Sequence, residues 1–191
     1  MISPYPADAT YVDWRTKYVV GALAGQEQGI CVKSGWAFAA SGALESANAI
    51  NEGLLYDFSE QYLINCDLGT GQAGCGGGKA SAGLAHLQVK GAILETDYQQ
   101  PKGVNLKQDT TRTCTTTNAA GAPLTTYKLL KDPGFDSVES AYVDEDGEGL
   151  TGYWGLKTAL KDSPVTVSFE VSADFLAYGS GVYQTSCGCD N

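Results

Sequence analysis

The chain has 191 residues, of which 43% are hydrophobic and 18% are charged, a composition typical of an ordinary globular protein. Its 22 acidic and 12 basic residues give a formal net charge of −10 at pH 7. A field of that sign repels phosphate backbones and anionic lipids, which argues against binding to nucleic acids or to membrane surfaces. No apolar run approaches the ~20 residues that a membrane span requires. The first residues also lack the pattern of a secretory signal.

Six cysteines stand at positions 31, 66, 75, 114, 187 and 189. They lack the paired C-x2-C units of a zinc site. The acidic run at 144–148 lacks the alternating ligands of a calcium loop. We therefore expect neither a metal nor another cofactor. The even number of cysteines is typical of disulfides formed in an oxidising compartment, but their spacing alone leaves the pairing open.

The first strong helical pattern begins at Trp36, after thirty or so residues that read as extended chain and loop. Apolar residues recur there at three- and four-residue steps and form one face: Trp36, Ala40, Ala43, Leu44, Ala47 and Ile50. Gly53 is a suitable end for this helix because glycine readily adopts the left-handed conformation found at helix C-termini.

Two further helices are predicted before the middle of the chain. The first is short and covers residues 60–64, with the Ser59 hydroxyl as its N-cap. Six glycines between 69 and 78 predict a loop. A longer helix is then predicted from about Lys79 to Lys90, ending at Gly91.

After a threonine-rich loop at 101–123, the pattern changes mainly to strand. Runs of β-branched and aromatic residues predict strands at 127–130, 165–171 and 181–183. One helical stretch interrupts them at about 154–160. Helices followed by strands predict an α+β arrangement of two lobes, about 12–123 and about 124–191.

Five ordered blocks of sequence carry a resemblance to a known family. They are residues 12–15 (VDWR), 28–38 (QGICVKSGWAF), 59–67 (SEQYLINCD), 74–78 (GCGGG), and 164–167 with 179–183 (PVTV and GSGVY). In this order they resemble the papain-like cysteine peptidases, which include papain and the cathepsins. The resemblance implies a papain-like two-lobe α+β fold in one domain, 1–191. One lobe would be helical around a long central helix, and the β-barrel-like second lobe would be incomplete at the C-terminus.

The resemblance places the family's nucleophilic cysteine directly before the tryptophan, at the N-terminus of the central helix. Backbone N–H groups and the helix dipole stabilise a thiolate at such a position. Here Gly35 occupies it, and glycine has no side chain that could form an acyl-enzyme. The segment from Cys31 to Trp36 is also one residue longer than in the family. Ser34 is an alternative nucleophile, but we expect it to cap the helix instead.

The single histidine does not match the family's catalytic histidine. His86 lies within the second long helix, whereas the resemblance places the catalytic histidine on a strand of the other lobe, after residues 181–183. We expect His86 to be a helix-surface or satisfied core histidine. The sequence stops at Asn191, about where the family's histidine and its orienting asparagine would be expected.

Other positions of the family's site are retained. Gln28 matches the glutamine that donates to the oxyanion. Gly77 and Gly78 match glycines whose backbone pairs with an extended substrate. By position, the main specificity pocket would be lined by Lys79, Ala80 and Ser168. The resemblance also implies the disulfides Cys31–Cys75 and Cys66–Cys114, and it leaves Cys187 and Cys189 unassigned.

These features favour a non-catalytic papain-like module that binds a protein or a peptide or serves a structural role. The alternative is part of an active cysteine endopeptidase whose histidine and asparagine lie in a missing segment or on a separate chain. The added residue before Trp36 favours natural divergence over an engineered change at Gly35. A disulfide-rich structural protein would explain the cysteines but none of the ordered blocks.

An incomplete β lobe would expose apolar faces and strand edges. We therefore expect a second chain or a missing C-terminal segment to complete it. The cysteines and the family resemblance predict a secreted, extracellular, or lysosomal or vacuolar location.

Overall fold

The structure is a computed structural model that describes residues 2–22, 31, 33–67, 69, 71–98, 114–117, 120–126, 153–169, 171 and 174–183. Within these ranges the regular elements are mainly helical. The α-helices are α1 (Gly35–Glu52), α2 (Glu60–Cys66), α3 (Ala80–Lys90) and α4 (Tyr153–Asp162). Short 3-10 turns lie at Trp14–Lys17, Gly74–Gly76 and Phe175–Ala177. Each of the four α-helices covers a stretch that the sequence predicts to be helical.

Helix α1 buries the apolar face expected of it, including Trp36, Ala40 and Leu44. It ends at Gly53, whose φ of 73° lies in the left-handed region and whose N–H donates to the carbonyl of Ala49. At the other end, the capping bond expected of Ser34 is absent. Ser34 occupies the N-cap position, but its side chain accepts no capping bond, and its hydroxyl donates to the carbonyl oxygen of Cys31 at 2.8 Å.

Helices α2 and α3 pack against α1 to form the main core. The Ser59 hydroxyl accepts the N–H of Tyr62 at 3.4 Å, so the expected cap of α2 is present. Gly83 of α3 lies so close to α1 that a Cβ there would be 3.1 Å from the Cβ of Ala40. The side chains of Leu63 and Ile64 are fully buried in this core.

Two disulfides and one isolated bridge hold this core to the loops around it. The disulfides are Cys31–Cys75 and Cys66–Cys114, the two pairs that the family resemblance implies. Phe58 and Leu94 form an antiparallel bridge, which brings the start of α2 next to the segment after α3. The loops on both sides of α3 are therefore tied to the helices.

The N-terminal segment joins α1 to α4. The indole N–H of the buried Trp14 donates to the carbonyl of Leu160 at 2.7 Å. The backbone N–H of Tyr5 donates to the carbonyl of Lys161 at 2.8 Å. Trp14 also packs in a small second core with Val19 and Ala49.

The predicted strands are not found in the part of the chain that the structure describes. Residues 165–169, 171 and 181–183 belong to no strand, and 127–130 lies outside the described residues. A strand needs a neighbour to satisfy its backbone groups, and β propensity reflects packing on such a neighbour more than a backbone preference. Several apolar side chains in these runs are exposed; Val182, for example, is 84% exposed.

Two further observations concern the fold as a whole. Across the described ranges, no helix is both long and apolar enough to cross a lipid bilayer. Cys187, Cys189 and the acidic run at 144–148 lie outside the described residues.

Candidate functional site

The candidate site lies where the N-terminal end of α1 meets the glycine loop, which we define as residues 74–78. The indole N–H of Trp36, on the first turn of α1, donates to the carbonyl of Gly74 at 3.0 Å. The Cys31–Cys75 disulfide joins the segment before α1 to the same loop. One hydrogen bond and one covalent bond therefore fix the loop against the start of the helix.

Glycine is required in this loop for steric reasons. A Cβ on Gly78 would lie 2.4 Å from Oε1 of Gln72 and 2.7 Å from the ring of Trp36. Gly77 has a φ of 117°, which side chains of L-residues rarely adopt. The loop can approach Trp36 only because these side chains are absent, and Gly78 consequently presents bare backbone to solvent.

The N-terminal end of α1 carries no exposed thiol or hydroxyl among the described residues 31 and 33–36. Gly35 is the exposed first residue of the helix. Cys31 is buried and disulfide-bonded. Ser34 is 0% exposed, and its hydroxyl donates a hydrogen bond to the carbonyl oxygen of Cys31. The surface at this point is therefore backbone and the free N–H groups of the first helical turn.

Lysines lie on both sides of the glycine loop. Lys33 is exposed, and its Cβ and Cδ lie 3.9 and 4.0 Å from the position that a Cβ of Gly77 would take. Lys79 is also exposed and directly follows the loop, before the half-buried Ala80 at the start of α3. Of the other predicted site residues, Gln28 lies outside the described residues. Ser168 is exposed, and no contact among the described residues connects it with the glycine loop.

Gln72 and Asp67 support the loop, and the sequence interpretation did not assign them a role. The amide of the buried Gln72 accepts the N–H of Lys79 at 2.7 Å and donates to the carbonyl of Lys79 at 3.2 Å. It also donates to Oδ2 of Asp67 at 2.9 Å. The sequence signal for this role is a glutamine within a glycine-rich loop. Its amide can bond to backbone groups of the loop that have no partner in a helix or strand.

His86 belongs to this supporting network and makes no described contact with the end of α1. Its Nδ1 lies 3.6 Å from Oδ1 of Asp67, and its ring meets the ring of Tyr62 edge-on. Its Nε2 is buried without a hydrogen-bond partner among the described residues, and the approach of Nδ1 to Asp67 is longer than a hydrogen bond, so the satisfied core histidine that the sequence interpretation allowed is not found. Burial lowers the pKa of His86 below its ordinary value, although the charge of Asp67 acts in the opposite direction.

A second group of ionisable residues lies around the start of α2. Oε1 of Glu45 accepts the N–H of Phe58 at 2.8 Å. Burial raises the pKa of Glu45 to about 7 and that of Glu60 to about 8, and it also raises the pKa of Glu95. In the described ranges, no group of three or more His, Cys, Asp or Glu residues is placed to hold a metal ion.

Comparison with known proteins identifies the family. The sequence model described as "Papain family cysteine protease" matches residues 9–191, nearly the whole chain. The chain belongs to the papain family of cysteine proteases. Membership of this family establishes the two-lobe α+β fold class, of which the described residues include the helical part.

Individual members of the papain family show how much of a relative the chain represents. It is 33% identical over 186 residues to Pro-cathepsin H of Mus musculus. The aligned region covers 96% of this chain and 47% of the relative. It is also 33% identical over 184 residues to Digestive cysteine proteinase 3 of Homarus americanus. Here the aligned region covers 94% of this chain and 47% of the relative. The chain spans less than half the length of each of these relatives.

Among solved structures, the chain is similar to the crystal structure of the Amb a 11 cysteine protease, a ragweed pollen allergen, in its proform. The identity is 40%, the TM-score is 0.41, and the match covers 50% of this chain and 30% of that one. It is also similar to the bromelain protease from Ananas comosus, with 31% identity, a TM-score of 0.44, and coverage of 61% of this chain and 47% of that one.

Proposed function

We propose that this chain is a non-catalytic member of the papain family that binds a protein or an extended peptide at the glycine loop and the start of α1. The observation that carries the proposal is Gly35, which stands where the family resemblance places the nucleophilic cysteine. The scaffold around that position is retained, including the Cys31–Cys75 disulfide and the bond from Trp36 to the loop.

The chemistry of the neighbouring residues supports the absence of catalysis. Peptide hydrolysis through an acyl-enzyme requires a nucleophile with an accessible thiol or hydroxyl. Cys31 is held in a disulfide, and the Ser34 hydroxyl is buried and bonded to a carbonyl. His86 contacts Asp67 and Tyr62 and is therefore occupied away from Gly35.

The backbone of the glycine loop supports a role in binding. Gly78 is exposed, and no other described residue hydrogen-bonds to its N–H or carbonyl group. Extended peptides commonly bind by pairing with such free backbone groups, as an added strand does. Gln72 fixes the adjacent backbone of Lys79, so little ordering would remain to be done when a peptide binds. The roles of Gln28, Ala80 and Ser168 in the groove remain part of this proposal.

The test measures catalysis and binding on the same preparation. We expect no turnover of fluorogenic peptides and no labelling by a mechanism-based cysteine-peptidase probe, together with saturable binding of extended peptides in fluorescence anisotropy. Gly35→Trp should block binding, because it places a large side chain at the exposed start of α1. Gly179→Trp is the matched control, since a Cβ on this exposed glycine meets no atom within 4 Å.

Turnover or labelling would instead support the alternative, in which the chain is part of an active endopeptidase completed by residues elsewhere. Equal peptide binding by the wild-type chain and Gly35→Trp would contradict the proposed position of the site.

We also propose that a protein segment, on a second chain or beyond Asn191, covers the exposed apolar residues between 165 and 183. The exposure of these side chains and the short span relative to the curated relatives support this partner. The two disulfides support an oxidising location, whether secreted, extracellular, lysosomal or vacuolar. The mass of the native particle tests the partner, because a stable monomer ending at Asn191 would contradict it.

A further inference from the structure

The candidate site places two exposed lysines in a strongly acidic chain. The net charge of −10 means that the surface as a whole repels anions. Lys33, however, lies two residues before the start of α1, and Lys79 directly follows the glycine loop. Among the described residues of the site, the exposed charges are therefore positive, opposite in sign to the net charge of the chain.

The stem of Lys33 lies against the glycine loop. Its Cβ and Cδ would lie 3.9 and 4.0 Å from a Cβ added at Gly77, so the stem passes close to the loop. A lysine that packs its methylene groups along a surface keeps its ammonium group in water. Lys33 therefore adds a cation at the edge of the same backbone that the proposed function assigns to peptide binding.

Lys79 is fixed from the other side. Gln72 binds both the N–H and the carbonyl of Lys79, which holds the backbone extended at φ −109° and ψ 129°. The nearby Asp67 is buried beneath the loop, where its carboxylate accepts from Gln72 and Gly69 and faces His86. Within the described ranges, neither Lys33 nor Lys79 forms an ion pair.

The N-terminal end of α1 adds to the same field. The free N–H groups of a helix start carry partial positive charge, and Gly35 places no side chain over them. We propose that the peptide bound at this site carries an acidic side chain, and that Lys33 and Lys79 determine this preference. The inference rests on the proposed peptide-binding function and names the class of its ligand.

The experiment uses pairs of capped hexapeptides that differ only by Glu or Gln at one position, with that position moved along the peptide. Fluorescence anisotropy with the full chain should show at least one position at which Glu binds about fivefold more tightly than Gln, as expected for a partly exposed ion pair. The difference should shrink at high salt, because screening weakens exposed charge pairs.

Lysine variants assign the preference to particular residues. Lys33→Met and Lys79→Met keep much of the side-chain stem and remove the charge, so each should reduce the Glu preference by about twofold or more. Lys90→Met is the matched control, because Lys90 is exposed at the far end of α3. Lys33→Glu should change the preference from Glu peptides to otherwise identical Lys peptides.

The outcomes separate this inference from the function on which it rests. Binding without a difference between Glu and Gln at any position overturns the acidic preference and leaves the peptide-binding function standing. An acidic preference that survives the combined Lys33→Met and Lys79→Met changes overturns the role of these lysines. Failure to bind any peptide of the series contradicts both proposals.

Discussion

Two regions of the molecule differ in how their apolar residues are buried. The helical region, residues 33–98, places side chains from three helices in one core and is tied by two disulfides. The distal region, residues 164–183, leaves valines and aromatic residues in solvent. The ring of Phe175 contacts those of Phe169 and Tyr183 there, with centroids 4.9 and 5.0 Å away, but no second layer covers them in the described structure.

The difference shows that composition alone does not determine burial. Both regions are rich in apolar residues, yet only the helical region contains the elements that its apolar faces need. A helix satisfies its own backbone and needs a neighbour only for its side chains, whereas a strand needs a neighbour for both. The helical region should therefore resist unfolding by itself, and substitutions in the distal region should matter little to that stability.

The largest effect should follow removal of the Cys31–Cys75 disulfide. Replacing both cysteines with serine releases a loop with a sequence separation of 44 residues. On the chain-entropy model this costs about 4 kcal/mol of unfolding free energy. Urea denaturation measures the change. A loss below about 1 kcal/mol would show that other contacts hold the loop against Trp36, which would weaken the description of a covalently fixed site.

A matched pair of leucines tests the comparison directly. Leu63 in α2 is 0% exposed, and Leu63→Ala should cost about 3 kcal/mol because it leaves a cavity in the core. Leu176 is 80% exposed, so in the isolated chain, without the covering segment proposed above, Leu176→Ala should change stability by less than about 0.5 kcal/mol. Urea midpoints of the two variants give the result. Similar losses for both would show that the distal region is covered in solution.

The same contrast explains which sequence predictions were successful. Periodicity and caps at Ser59, Gly53 and Gly91 located the helices, because these signals act within one element. The capping bond expected of Ser34 is absent, because the local pattern does not reveal how the side chain is oriented. The strand predictions depended on pairing with other segments, which local β propensity does not supply.

The candidate site was predictable to a similar extent. The contact between the glycine loop and α1 follows from family motifs that the sequence retains. Gln72 and the Asp67–His86 contact were not predicted, because they depend on how the turn at 69–73 folds back on α3. The environment of Glu45 and Glu60 was missed for the same reason, since burial depends on tertiary packing.

The buried carboxyl groups of the helical region should make its stability depend on pH, and the distal region should not show this dependence. The folded-state pKa is raised to about 7 for Glu45 and about 8 for Glu60, mainly by burial. Folding therefore favours their protonated forms, so their contribution to stability is fully present below their unfolded pKa and is lost as pH rises to about 7 to 8. Urea midpoints measured from about pH 5 to about pH 8 should decrease.

Glu45→Gln and Glu60→Gln should each flatten this profile, whereas Glu52→Gln, at an exposed position, should leave its slope unchanged. His86 acts in the opposite direction, because its lowered pKa reduces stability in acid. The difference between each glutamate variant and the wild-type chain isolates the carboxyl contribution. A difference that stays constant across this pH range would show that these carboxyl groups are not buried in solution.

The smallest effect concerns a defect within the well-packed region. The hydroxyl of Ser41 in α1 is buried and has no hydrogen-bond partner among the residues that the structure describes. Ser41→Ala removes this unsatisfied group and improves helix propensity, so it should stabilise the chain by about 1 kcal/mol. Asn48 in the same helix donates to the carbonyl of Leu54 at 2.6 Å, so Asn48→Ala should destabilise it by a similar amount. If Ser41→Ala is instead destabilising, its hydroxyl has a partner in solution, and the core of the helical region is more completely satisfied than its contacts indicate.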